Sequence, residues 1–250
     1  MIAREIGHFL VGVMFLTRLP VPSELHHVEG RLARAARYFP LVGILVGLIT
    51  GGVFLLTMQI LDPYLAAACA VTVGMLITGA LHEDGLADTA DGLGGGQTRE
   101  HALEIMRDSR LGTYGACALF ASIGFRILAL GVLDPAEGFL ALVIAHTVSR
   151  ALIPTVLVSG AYARTRGLAS SVAEGVGTVE IAFAIITAFV VSMIGGYVAG
   201  LASCAAAVVC GGIMLAILMR RLGGYTGDGL GAVQQVGEIA VLVVLSGLWL

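Results

Sequence analysis

Residues 38–61 read YFPLVGILVGLITGGVFLLTMQIL and contain no charged side chain. An α-helix needs about 20 mostly apolar residues to cross the hydrocarbon core of a bilayer, so this run predicts a spanning helix. Six further runs have the same character: Tyr64–Leu81, Ala116–Leu133, Gly138–Val158, Ile181–Leu201, Ala202–Met219 and Val233–Leu250. The sequence therefore predicts an all-α, polytopic integral membrane helical bundle with seven spans. The shorter run Ile6–Thr17 predicts a re-entrant or interfacial helix, or a tilted eighth span.

The composition agrees with a protein whose surface faces lipid. Only 12% of the 250 residues are charged and 58% are hydrophobic, whereas a soluble domain carries about 25% charged residues. We therefore expect a single membrane-embedded domain over residues 1–250, surrounded by a lipid bilayer. The net charge of −3 gives no broad basic face for nucleic acid. Every basic residue is Arg, which excludes the lysine of a P-loop and Schiff-base chemistry.

The arginines between the predicted spans indicate an orientation. They fall in residues 18–37, 82–115, 160–180 and 220–232, whereas Asp62-Pro63 and Asp134–Glu137 carry none. With seven spans, all the Arg-bearing connections lie on one side, which the positive-inside rule makes cytoplasmic. The long connections, and any chemistry they carry, are therefore predicted on the cytoplasmic face.

The longest acidic segment follows the second predicted span, at residues 82–115. Asp84, Asp88 and Asp91 are spaced i, i+4 and i+7, which places them within roughly 60° of one another on a helix. No Arg or Lys lies between Gly79 and Gln97 to pair with them. Three carboxylates on one stripe repel each other unless a cation neutralises them, and an all-oxygen set favours Mg²⁺ or Mn²⁺.

A second acidic helix is predicted after a break at Gly92–Gly96. Residues 98–110 place Glu100, Glu104 and Asp108 on one face. Two acidic helices around a glycine turn would face each other across a metal site. An alternative is a solvated amphipathic loop with salt bridges, which suits Glu104 and Asp108 better than the aspartate stripe.

The arginines of this second segment suggest what the metal site would act on. Arg107 and Arg110 share a face beside the acidic one, and Arg is suited to bidentate phosphate contacts. Carboxylates, Mg²⁺ and Arg together are typical of phosphoryl transfer. The segment 82–115 is therefore predicted to be a cytoplasmic helix–turn–helix that carries the active site.

Three charges lie inside predicted spans. Such residues are functional hypotheses by default, and Glu238 requires a cationic or metal partner. Arg126 and Arg150 lie within or near the ends of predicted spans, and Arg150 is also close enough to a span end to reach the surface. The glycine-rich loop 223–231 is able to approach a phosphate through its backbone.

Several blocks of this sequence resemble the cobalamin synthase family, the adenosylcobinamide-GDP ribazoletransferases. In family order and over almost the whole chain, they are Thr17–Pro22, Arg37–Gly43, His82–Gly92, Met106–Gly115, Ser149-Arg150, Ala163-Arg164 with Gly167-Leu168, and Gly223–Gly231. The resemblance implies an enzyme of the bacterial inner membrane that requires Mg²⁺. It further implies that adenosylcobinamide-GDP reacts with α-ribazole, or its 5′-phosphate, to give adenosylcobalamin, or its phosphate, and GMP.

A set of site residues follows from the pattern and the resemblance together. We expect Asp84, Asp88 and Asp91 to hold Mg²⁺, with Asp108 or Glu83 as a further ligand or general base. Arg107 and Arg110 are expected to stabilise developing phosphate charge. The expected substrate-binding residues are Arg18, Arg37, His82, Arg150, Arg164 and Asp228.

Two other functions stay open at this point. The aspartates also partly match the CDP-alcohol phosphotransferase signature, but the Ala-Arg dipeptide of that signature is missing and the spacing is shorter. A cation-coupled transporter would place its ionisable residues near the membrane midplane, whereas these carboxylates follow the end of a span. A homo-oligomer is compatible with the sequence.

Overall fold

The computed structural model describes residues 2–21, 31–159, 162–163 and 175–249, and these ranges are almost entirely helical. The helices are α1 Ile2–Leu16, α2 Arg31–Ala35, a 3₁₀ turn Ala36–Tyr38, α3 Phe39–Thr57, α4 Pro63–Thr78, α5 Leu81–Gly95, α6 Arg99–Ile105, α7 Thr113–Leu130, α8 Pro135–Ser159, α9 Thr178–Met193, α10 Tyr197–Leu222 and α11 Gly227–Trp249. Within these ranges, β-structure is limited to an isolated bridge between Tyr162 and Tyr225. The predicted all-α class is confirmed.

The polytopic membrane bundle is also confirmed, with a lower span count by length. Among the described residues, five helical segments are long and apolar enough to cross a bilayer: Leu32–Thr57, α7, α8, α10 and α11. The pair α4 and α5 gives a sixth if its two halves count as one broken span. The remaining expected span, Ile181–Leu201, corresponds to α9, which is apolar but has only 16 residues.

The boundary between α9 and α10 lies earlier in the chain than the sequence suggested. The expected turn near Leu201 lies instead at Ile194–Gly196, and α10 then runs unbroken through residue 201. Gly196 has a φ of +99°, a conformation that glycine adopts without the steric cost of a Cβ. The two-glycine pair Gly195-Gly196 therefore decides where the chain reverses.

Helix α8 is buried along nearly its whole length and forms the centre of the bundle. Helix α3 lies directly against it, because Gly43 and Gly47 present no side chain to α8. A Cβ on either residue would collide with the α8 backbone at His146 or Val143. Small residues at this spacing allow close helix contact in membranes.

A sharp bend between α4 and α5 positions the acidic segment. The two helices differ in direction by 90° across Gly79 and Ala80, whose φ values are +64° and +54°. Helix α5 then packs between α7 and α11. Glu83, in the first turn of α5, pairs with Arg126 in the second half of α7. Asp91, in the second half of α5, contacts the first turn of α7. The acidic helix is thus built into the bundle rather than standing apart as a loop.

The two predicted boundaries within residues 82–115 are corrected. Helix α5 does not break at Gly92 but continues to Gly95, because packing against its neighbours offsets the low helix propensity of glycine. Helix α6 ends at Ile105, where the N–H groups of Arg107 and Asp108 turn to the carbonyls of Glu104 and Ile105. Asp108 therefore lies on a loop and does not extend the Glu100–Glu104 stripe.

Candidate functional site

The aspartate stripe lies on α5, as its spacing predicts. Asp84 is exposed, Asp88 is half-buried, and Asp91 is buried. The stripe therefore descends from the open face of α5 into the contact with α7. Asp84 and Asp88 are one helical turn apart and form the accessible part.

Asp91 holds the start of α7. Its two carboxylate oxygens accept hydrogen bonds from the backbone N–H groups of Gly112 and Gly115, each at 2.8 Å. These N–H groups belong to the first turn of α7, where the helix itself provides no acceptor. A buried carboxylate at a helix N-terminus is also favoured by the helix dipole. Asp91 thus connects two segments that are 21 to 24 residues apart.

The loop 106–114 folds back over the second half of α5. The side chain of Met106 lies against Gly92, and the ring of Tyr114 lies against Gly94, so both glycines leave room for this loop. Met106–Gly115 and His82–Gly92, the two blocks that carry most of the family resemblance, are therefore in direct contact. The contact places the basic loop beside the aspartate stripe.

Within this loop, Asp108 pairs with Arg110. The guanidinium Nε of Arg110 donates to both carboxylate oxygens of Asp108 at 3.0 Å. These hydrogen bonds lower the pKa of Asp108 to about 2. The side chain of Arg110 is nevertheless 87% exposed, and Arg107 is exposed as well. Both arginines are accessible to an anionic substrate.

Two further expected site residues border α5. The backbone of Asp228, at the start of α11, lies against Gly85. The side chain of Arg18 lies against Gly79, at the bend from which α5 begins, and its backbone N–H donates to Ile77. The structure thus brings Arg18 and Asp228 to the acidic helix from opposite ends of the sequence.

Arg37 lies elsewhere. It pairs with Glu5 of α1 and, at 3.9 Å, with Glu180 of α9, and its side chain is mostly buried. The structure therefore places Arg37 in a contact between α1 and α9 rather than beside α5. Arg164, the other expected substrate ligand from a distant loop, falls outside the described residues.

Three Arg-bearing connections meet at the end of the bundle where α6 lies. Arg99 donates to the carbonyls of Leu222 and Ala163, both at 2.7 Å, and Arg221 donates to the carbonyl of Gly96 at 2.8 Å. These bonds fix α6 to the end of α10. The sequence identified Arg99 and Arg221 only as loop charges, because their carbonyl partners are more than 60 residues away.

The charges predicted inside spans converge on one buried cluster between α5, α7, α8 and α11. Arg126 donates to Glu83 at 2.9 Å and to Glu238 at 3.3 Å. Glu238 also lies 2.9 Å from His146 and 3.7 Å from Arg150. We call these five residues, together with His82, the inner cluster. The cationic partner that Glu238 requires is thus supplied by arginine and histidine.

Burial separates the inner cluster from the aspartate stripe. His82, Glu83 and Arg150 were expected at a substrate site, but each is at most 5% exposed. Arg150 does not reach the surface, so the snorkelling alternative is wrong. Polar neighbours that the sequence analysis missed complete the cluster: Ser122, Ser149, Gln234 and Gln235. The sequence indicates these four residues only as uncharged polar side chains within otherwise apolar helices.

The carboxylates of α5 suit Mg²⁺ as a two-ligand site. In the described part of the chain, no group of three His, Cys, Asp or Glu side chains converges closely enough to hold a metal. Mg²⁺ is commonly bound through one or two carboxylates, with water and substrate phosphates completing its coordination. Asp84 and Asp88 meet that requirement. Asp91 is already engaged by α7, and its role as a ligand stays a prediction.

This chain is similar to known proteins over almost its whole length. Relatives named adenosylcobinamide-GDP ribazoletransferase include one from Bradyrhizobium diazoefficiens, 45% identical over 97% of this chain and 94% of its own length. One from Shewanella amazonensis is 41% identical, over 98% of this chain and 97% of its own. No solved structure matches.

The family itself is identified by a match over nearly the whole chain. A family model described as cobalamin-5-phosphate synthase matches residues 8–246. This range includes α5, the loop 106–114 and the start of α11, so it covers every described residue that borders the aspartate stripe. The match and the relatives confirm the resemblance and the expected enzyme class, a transferase of cobalamin biosynthesis. The chain belongs to the cobalamin-5-phosphate synthase family.

Proposed function

We propose that this chain joins adenosylcobinamide-GDP to α-ribazole, or to its 5′-phosphate, and releases GMP. The proposal is supported by the names of the relatives and by the contact between α5 and the loop 106–114. That contact, made by Asp91 with Gly112 and Gly115, is the observation that carries it. It joins the helix that carries the accessible carboxylates to the loop that carries the accessible arginines, and the transfer of a phosphate group uses both kinds of side chain.

The reaction is a substitution at the phosphorus that bears the cobinamide. A ribose hydroxyl of α-ribazole attacks this phosphorus, and a new P–O bond forms. The bond from the same phosphorus to the oxygen of GMP breaks, and GMP leaves with the bonding electrons. The hydroxyl proton passes to water at the exposed face of α5. Arg107 and Arg110 lie where they can contact the phosphoryl oxygens as charge develops.

A divalent cation adds to this charge stabilisation. Asp84 and Asp88 would hold Mg²⁺, with Asp91 and Asp228 next to them. The chemistry that Mg²⁺ would supply there is polarisation of the phosphate groups and neutralisation of their charge. Without it, the stripe and a diphosphate would repel each other, so we expect the metal and the substrate to bind together.

Two of the expected catalytic carboxylates are assigned other roles in this proposal. A general base works best with a pKa near the operating pH, whereas Arg110 lowers the pKa of Asp108 to about 2. Asp108 therefore orients Arg110. Glu83 is buried and paired with Arg126, so it anchors α5 within the bundle. A loose phosphoryl-transfer transition state needs positioning more than a strong base.

We further propose that this reaction occurs at the cytoplasmic face of the bacterial inner membrane. Hydrogen bonds from Arg99 to Ala163 and Leu222, and from Arg221 to Gly96, link three of the Arg-bearing connections. These bonds support a common side of the bundle for the three connections. The positive-inside rule assigns that side to the cytoplasm. Water-soluble α-ribazole and Mg²⁺ would then reach α5 directly.

The identity of the released nucleotide tests the proposal. Purified protein would be incubated with adenosylcobinamide-GDP and Mg²⁺, with and without α-ribazole, and products identified by mass spectrometry. We expect GMP and adenosylcobalamin in equal amounts, only when α-ribazole is present. GMP without α-ribazole would indicate hydrolysis instead of joining. Release of CMP from a CDP-alcohol, with no GMP from the corrinoid substrate, would favour a lipid phosphotransferase.

A further inference from the structure

The inner cluster contains four buried polar atoms without a hydrogen-bond partner among the described residues. They are Glu83 Oε2, Arg126 Nη2, Arg150 Nε and His82 Nε2. An unsatisfied buried polar atom destabilises the folded state, and a charged one does so more strongly. Four such atoms in one place indicate that something else completes their hydrogen bonds.

All four residues line the same small cavity. It has a volume of about 10 Å³ and lies between α4, α5, α7, α8 and α11. A buried cavity needs roughly 10–15 Å³ and two to four polar partners to hold a water molecule. The cavity meets both requirements for one water.

The four atoms also match the bonding capacity of water. Arg126 Nη2 and Arg150 Nε are obligatory donors, and Glu83 Oε2 is an acceptor. His82 Nε2 is an acceptor when the ring proton is on Nδ1. One water molecule accepts two hydrogen bonds and donates two, so it satisfies two donors and two acceptors together. A small anion would satisfy the arginines but would repel Glu83.

We propose that the inner cluster binds one ordered water and that this hydrated cluster sets the position of α5, making Arg126 and Glu238 positioning residues for the aspartate stripe. His82 and Glu83 are in the first turn of α5, directly before Asp84. Arg126 holds that turn to α7, and Glu238 holds Arg126 to α11. This assignment of a positioning role rests on the proposed function; the water site does not.

The inner cluster bears on the aspartates because it holds the end of α5 from which Asp84 and Asp88 follow. Asp91 fixes the far end of the helix to α7. The near end follows a bend through two residues with positive φ and packs against the start of α11 at Gly85. Loss of the Arg126–Glu83 pair would let this end of α5 shift and would move Asp84 relative to the start of α11. Misplacement by about 1 Å typically costs 100-fold in rate.

The water itself is tested by cryo-electron microscopy of the wild-type protein in nanodiscs, at a resolution that shows ordered water. We expect one density peak within hydrogen-bond distance of Glu83, Arg126 and Arg150. A dry cavity would overturn the water site. A peak that rises with added bromide in a matched data set would show an anion instead.

The positioning role is tested with Arg126→Lys. Lysine keeps the charge near Glu83 but cannot present a second nitrogen to the water. We expect kcat for GMP release to fall at least 10-fold with KM unchanged and with Tm within a few degrees of the wild type. Ser203→Ala, which removes a buried hydroxyl of α10 outside the cluster, serves as the matched control and should leave kcat unchanged. Equal kcat in Arg126→Lys and the control would overturn the role.

A double variant covers the case in which single variants fail to fold. Removing one partner of a buried ion pair leaves an unpaired charge, whereas replacing both by apolar residues is often neutral for stability. Glu83→Met combined with Arg126→Met should therefore fold. We expect it to retain a low kcat, and full activity would contradict the positioning role. If the wild type itself releases no GMP, the proposed function fails while the cryo-electron microscopy result still decides the water site.

Discussion

At the scale of single residues, the three aspartates of the stripe have two different roles. Their spacing alone had predicted the same role, metal binding, for all three. Asp84 and Asp88 face outward, whereas Asp91 accepts two backbone hydrogen bonds from the first turn of α7. The helical phase of the three residues was predictable because it depends on local geometry. The partner of Asp91 was not, because it depends on how a loop 21 to 24 residues away folds back.

Asp91→Ala tests this division. Hydrogen bonds to a charged group contribute about 1.5–3 kcal/mol, so the free energy of unfolding should fall by about 2 kcal/mol. At roughly 2–4 °C per kcal/mol, Tm should fall by about 4–8 °C. The loss should be the same with and without Mg²⁺. Asp84→Ala, an exposed member of the same stripe, is the control and should leave Tm nearly unchanged. A loss of Tm in Asp91→Ala only when Mg²⁺ is present would identify Asp91 as a ligand rather than a cap.

The ion pair of Asp108 gives a prediction about pH. Its pKa of about 2 lies below the unfolded value of about 3.9. A lowered pKa means that the pair is intact above pH 4 and is lost only as the pH falls through 2. Protonation of Asp108 therefore does not shape activity between pH 5 and 9. Asp108→Asn should change the rate of GMP release but leave the midpoint of the acid limb where it is. An acid limb that disappears in Asp108→Asn would restore Asp108 as the general base.

At the scale of elements, close contact between α3 and α8 supports the core in which the inner cluster lies. Gly43→Ala would drive a Cβ into the carbonyl group of His146, a residue of that cluster. Overpacking costs about 1–3 kcal/mol, so Tm should fall by several degrees in detergent. Gly52→Ala, on the same helix but with open space around its Cβ, should hold or raise Tm. Equal effects of the two substitutions would show that α3 and α8 are not in contact at Gly43.

The elements also show where sequence reasoning succeeds. The apolar runs predicted α3, α4, α7, α8 and α11 because hydrophobic length is a local property. The extent of α5 was missed because contacts with α7 and α11 keep Gly92–Gly95 helical. Glu238 pairs with Arg126, 112 positions away in the sequence, and with His146, 92 positions away. The sequence could therefore indicate only that this carboxylate needs a partner.

At the scale of the whole molecule, the proposed orientation in the membrane is tested at two exposed residues, one before α7 and one after it. Variants without the four native cysteines would carry Gln97→Cys or Asp134→Cys. A maleimide that does not cross membranes should label residue 97 in inverted vesicles and residue 134 in spheroplasts. The reverse pattern would place α5 on the periplasmic side.

The proposed function requires the aspartates of α5 to support GMP release together with Mg²⁺. The most direct measurement is a Mg²⁺ titration of GMP release from adenosylcobinamide-GDP and α-ribazole, with the wild type and with Asp88→Asn. We predict GMP in Mg²⁺, none in EDTA, and a loss of at least about 100-fold in Asp88→Asn with Tm and membrane insertion unchanged. Near-normal GMP release by Asp88→Asn, or release by the wild type in EDTA, would show that the reaction does not depend on a metal held by these aspartates.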